Sequence, residues 1–85
     1  MILTLLEELI QSKQIEKAMQ QFQKQEDKMN EYEYSKFAKH LHENGYTLES
    51  IKVLKKAVEK FPHNPYILKS IVSKIYQYVI VPYYA

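Results

Sequence analysis

The stretch that most constrains this chain runs from Glu31 to Asn64, EYEYSKFAKHLHENGYTLESIKVLKKAVEKFPHN. Asn30 and Glu33 have the spacing of a capping box, in which the Asn side chain accepts from an early backbone N–H and Glu33 reaches back. Behind them Tyr34, Phe37, Ala38 and Leu41 fall at i, i+3, i+4 and i+7, which is one face of an α-helix. Asn44-Gly45 ends that helix, because glycine takes the left-handed conformation without a Cβ clash. Thr47 is expected to cap a second helix, with Glu49 in its first turn. The apolar stripe of that helix is Leu48, Ile51, Leu54, Ala57, Val58 and Phe61, and Pro62 prevents its continuation. So short a turn makes the two helices antiparallel.

These residues resemble the tetratricopeptide repeat, a helical hairpin of about 34 residues with the signature W-x2-L-G-x2-Y, then A-x3-F, then P. The correspondence runs through Tyr34, Phe37, Ala38 and Leu41, then Gly45 and Tyr46, then Ser50, Leu54, Ala57 and Pro62. Tyr stands for Trp, Phe-Ala for Leu-Gly, Leu41 for Tyr, Ser50 for Ala and Leu54 for Phe. Each departure keeps the size class, and Ser50 keeps the helix crossing small.

The flanks repeat the pattern. Ile2, Leu5, Leu6 and Leu9 form a stripe on a first helix, Ser12 or Lys13 marks a turn, and a second helix from about Gln14 to Lys28 carries Ile15, Ala18 and Phe22. A shift of 32 lays Leu5, Leu6 and Leu9 on Phe37, Ala38 and Leu41, and Ala18 and Phe22 on Ser50 and Leu54. No proline closes this unit, and the link through Asp27–Asn30 is expected to be tighter than usual. Downstream, Asn64-Pro65 starts another helix, in which Leu68, Ile71, Val72 and Ile75 repeat Tyr34, Phe37, Ala38 and Leu41 at a shift of 34. Pro82 stops it. The expected fold is all-α: an antiparallel helical hairpin array of about five helices in one domain, residues 1–85. Repeat one covers 1–29, repeat two 31–64, and an extra helix 65–81.

Composition narrows the function. No run approaches the roughly 20 apolar residues that span a bilayer. The start MILTLLEELI lacks a basic lead and carries Glu7 and Glu8, unlike a secretory signal. The 85 residues include no cysteine, so a reducing compartment, the cytoplasm, is expected. His40 and His42 lie about 200° apart around a helix and cannot share a metal; with His63 in a loop, solvated surface is their expected setting. Ser35 precedes Lys39 and His40 but has no oxyanion-type glycine turn, and a single glycine leaves no phosphate-cradling loop. No catalytic residue, cofactor or metal site is expected, and the chain does not read as an enzyme.

Net charge is +2, and all twelve basic residues are lysine, which lacks the bidentate fork suited to guanine edges and phosphates. Nucleic acid is therefore not the expected partner. Lys52, Lys55, Lys56 and Lys60 fall on the outer side of the fourth helix, where interleaved Glu49 and Glu59 suit a solvated convex face. The alternative use of that face is a small regulatory factor that binds nucleic acid or anions, by analogy with larger repeat-built bacterial regulators.

Eight tyrosines are many for this length. The resemblance implies a groove lined by the first helix of each repeat, taking a peptide or helix from another protein. Its lining positions fall on Tyr32, Ser35, Lys39 and His42, and in the last helix on Tyr66, Lys69, Ser73 and Tyr76. Lys39 and Lys69 suit an acidic ligand, although the Asn and Arg of the family's carboxylate clamp are missing. The plainer reading of these tyrosines is half-exposed surface. The segment IYQYVIVPYYA places an apolar end where repeat proteins carry a polar cap. Three readings cover it: it folds back, it meets another subunit, or the chain belongs to a longer array. A two-fold homodimer through Ile75, Tyr78, Val79, Ile80, Tyr83 and Tyr84 is the favoured one. The expected function is non-catalytic protein binding.

Overall fold

The computed structural model describes residues 2–65, and the fold is all-helical, with no strand among these residues. Helix α1 spans Ile2–Gln11, α2 Ile15–Gln25, α3 Glu31–Glu43 and α4 Thr47–Lys60, with a 3-10 turn at Glu26–Lys28 between α2 and α3. The fifth expected helix, 65–81, lies outside the described residues.

Two turns of one design join the helices in pairs. After α1, the Lys13 N–H donates to the Ile10 carbonyl at 3.0 Å and the Gln14 N–H to the Leu9 carbonyl at 2.8 Å. After α3, Gly45 donates to His42 at 3.1 Å and Tyr46 to Leu41 at 2.8 Å. Both are Schellman closures, in which the left-handed residue lets the chain reverse and satisfy the last carbonyls. Every partner in the second turn is 32 residues beyond its counterpart in the first, so the sequence offset is also an offset of the backbone. Gly45 has φ 90° and Lys13, at the equivalent place, φ 62°.

A side chain at positive φ costs roughly 1–2 kcal/mol, part of which glycine returns through its larger unfolded-state entropy. Lys13→Gly is therefore expected to raise stability by about 0.5–1 kcal/mol in urea denaturation. Gly45→Ala should lower it by about 1–2 kcal/mol. A Cβ at Gly45 would meet nothing within 4 Å, so its penalty comes from the backbone alone.

The capping box forms as its spacing requires: the Glu33 N–H donates to Asn30 Oδ1 at 2.9 Å and the Asn30 N–H to Glu33 Oε1 at 3.0 Å. The link ahead of it is a 3-10 turn followed by extended Met29, whose side chain is buried. Helix α1 packs on α2 and α3, and α3 packs on α4. The hairpins meet at Phe22 of α2, whose ring lies edge-on to Tyr34 at 5.5 Å and tilted against Phe37 at 5.2 Å. Leu6, Ile10, Ala18, Leu41, Val53, Leu54 and Ala57 complete a continuous core around these rings.

Three local expectations need correction. In α1 the buried positions are Leu3, Leu6 and Ile10, whereas Leu5 is 42% exposed. ILTLLEELI is apolar around more than half its circumference, so two helical stripes run through it. Contact with both α2 and α3 selects the Leu3 stripe. In α4 the fully buried Val53 replaces Leu48, which is 52% exposed. The Ser50 hydroxyl donates to the Ala38 carbonyl at 2.8 Å, drawing the Ser50 side of α4 onto α3 and turning Leu48 outward. Thr47 is not the cap: Tyr46 occupies that position without a side-chain bond, because the tight turn makes one residue both the end of the closure and the start of α4.

Candidate functional site

Among the expected groove positions, the register of α3 brings Tyr32, Ser35 and Lys39 together. With Glu31, Lys36 and Asn64 they line an open recess of about 340 Å³ on the helix surface away from the Phe22 junction. Positions 32, 35, 36 and 39 follow helical spacing, and the capping box at Asn30 fixes the start of that register. Asn64 arrives from the loop beyond α4.

The recess has mixed chemistry. Tyr32 is 59% exposed, and the Lys36 ammonium lies 5.8 Å from its ring centroid, within cation–π range. Lys39 is exposed beside it. Ser35 Oγ is buried and among the described residues has no hydrogen-bond partner, leaving a donor and two acceptor lone pairs beside the recess. An aromatic surface, two ammonium groups, a hydroxyl and the Glu31 carboxylate suit a polypeptide segment bearing both apolar and charged side chains.

His42, the fourth groove position of α3, does not line this recess. It is half-buried, and its Nδ1 lies 3.1 Å from Thr47 Oγ1, where it ties the end of α3 to the start of α4. His40 is not simply solvated either: its Nε2 lies 3.0 Å from Glu7 Oε1, bridging α3 to α1. The other groove positions, Tyr66, Lys69, Ser73 and Tyr76, lie outside the described residues, as do Ile75, Tyr78, Val79, Ile80, Tyr83 and Tyr84 of the expected dimer patch. Lys36, Glu31 and Asn64 were not among the sequence candidates. Lys36 follows Tyr32 by one helical turn and could have been read from that spacing; Asn64 reaches the recess only through the tertiary fold.

The lysine face of α4 also changes character. Lys56 Nζ is 2.9 Å from Glu26 Oε2, and Lys60 Nζ donates to the carbonyls of Glu26 at 2.7 Å and Met29 at 3.1 Å. Two of its four cations thus serve contacts to the end of the first hairpin, although Lys60, like Lys52 and Lys55, is an exposed residue. Among the described residues no group of three or more His, Cys, Asp or Glu could hold a metal, and no helix is long and apolar enough to cross a membrane. No protein-family model matches the chain, and neither a curated protein nor a solved structure matches it.

Proposed function

We propose that this chain is a non-catalytic protein-binding module of tetratricopeptide type, acting in the cytoplasm, whose α3 recess receives a peptide or helix of a partner protein. The observation that carries this reading is the convergence of Tyr32, Ser35 and Lys39 on one open recess. Tyr32 offers rigid apolar area with a polar tip, the combination that dominates binding hot spots. Lys36 and Lys39 favour a segment carrying acidic groups, and the stacked hairpins below keep α3 from repacking on binding. A homodimer through the C-terminal patch belongs to the same reading. The lysine-face alternative is weakened, because Lys56 and Lys60 are engaged within the fold.

Tyr32→Ala and Lys39→Ala alter exposed side chains, so each should leave stability within about 0.5 kcal/mol of the parent. In affinity capture from a lysate of the source cell, both variants should lose the same partner, with affinity reduced at least about tenfold. If both retain every protein that the parent captures, the recess is not the docking surface.

A further inference from the structure

A second feature, independent of the α3 recess, lies where the first hairpin ends. The 3-10 turn at Glu26–Lys28 leaves backbone carbonyls at the negative end of the α2 dipole. The Glu26 carbonyl accepts from the Met29 N–H at 3.3 Å, from the Tyr34 hydroxyl at 3.0 Å and from Lys60 Nζ at 2.7 Å, and the Met29 carbonyl accepts from the same ammonium at 3.1 Å. That ammonium also lies 5.4 Å from the ring centroids of both Tyr34 and Phe61. The two rings meet edge-on at 80°, with centroids 5.6 Å apart, and form a corner. Carbonyl dipoles directed at N–H donors and aromatic rings within about 6 Å of the charge are two independent means of recognising an ammonium ion. Asp27, Glu59, Lys56 and Glu26 border the same hollow of about 390 Å³; Lys56 offsets the Glu26 carboxylate it pairs with at 2.9 Å, and Asp27 and Glu59 add negative potential.

We propose that this corner is a binding seat for a primary alkylammonium group, filled in the folded chain by its own Lys60. Its residues come from both hairpins: Glu26 and Met29 end the first, Tyr34 begins the second, and Lys60 and Phe61 close it. The seated ammonium is therefore a latch between the hairpins.

The test uses the full chain with three sequences: the parent, Lys60→Ala, which empties the seat, and Lys60→Met, which fills it without charge. Lys60→Ala should melt about 4–8 °C below the parent. Saturating ethylammonium chloride should return most of that loss in Lys60→Ala and shift neither the parent nor Lys60→Met. Tetramethylammonium, a cation without N–H donors, should fail to do so. Equal shifts in all three proteins, no response of Lys60→Ala to ethylammonium, or equal rescue by tetramethylammonium would overturn the proposal. If Lys60→Ala does not fold, the unmodified chain still decides by NMR. Held by the Glu26 and Met29 carbonyls, the Lys60 ammonium protons should exchange with water more slowly than those of Lys52 and Lys55, and equal rates would refute the seat.

Discussion

Phe37→Ala is expected to remove most of the stability of this chain. Phe37 is fully buried, and its ring packs against Phe22 where the two hairpins join. Deleting a buried phenylalanine side chain costs about 3–5 kcal/mol, the sum of lost transfer energy and the cavity left behind. A domain of this size buries a smaller share of its surface than a larger one and holds only a modest margin. Thermal unfolding followed by circular dichroism should show a fall of more than about 12 °C, or no cooperative transition at all. A shift of only a few degrees would mean that α3 turns some other face toward α2.

The second large effect is expected in alkali. Tyr34 is buried between Phe22 and Phe61, and its hydroxyl donates to the Glu26 carbonyl. Burial, followed by the negative charges of Glu26 and Asp27, raises its phenol from 10.0 to about 12. The fold thus prefers the neutral phenol, whereas the unfolded chain ionises near the ordinary value. This contribution is complete below pH 10 and is lost as pH rises through the window between 10 and 12. Two pH units correspond to about 2–3 kcal/mol. Urea denaturation across that window should show stability falling by this amount relative to Tyr34→Phe, which keeps the neighbouring Lys60 and the other tyrosines. Parallel profiles would show that the Tyr34 hydroxyl is not buried in the fold.

Local chemistry made much of this fold legible. Asn30 and Glu33 announce the α3 cap because a capping box needs only three residues of separation. Gly45 announces the turn because few other residues take its backbone angles. The constant offset of 32 was readable as well, but that Lys13 takes the conformation of Gly45 emerges only from the backbone, because a lysine carries no local signal for positive φ. Helix rotation was harder to read. The first ten residues hold too many apolar side chains for one stripe to stand out, and α4 is turned by the Ser50 hydroxyl, whose carbonyl partner lies twelve residues away. Met29 gave no signal, since a single apolar residue in a link has no period.

The same division holds for the candidate site. Tyr32, Ser35 and Lys39 share one helix and follow from its register. His42 sits in the same register, but the turn claims it through Thr47. Glu26 and Lys60 meet across 34 residues, and nothing local marks either as a partner of the other. In sequence Lys60 is one more cation on a charged face; in the fold its ammonium lies 5.4 Å from the centroids of two aromatic rings.

Site-specific photo-crosslinking in the source cell tests protein docking at the α3 recess most directly. A photoreactive phenylalanine at Tyr32 or at Lys39 should give the same covalent protein adduct, and excess parent chain should suppress it. The same probe at exposed Lys55 of α4 should not give it. Adducts that form equally from all three positions, or form at Lys55 alone, would contradict a docking surface on α3.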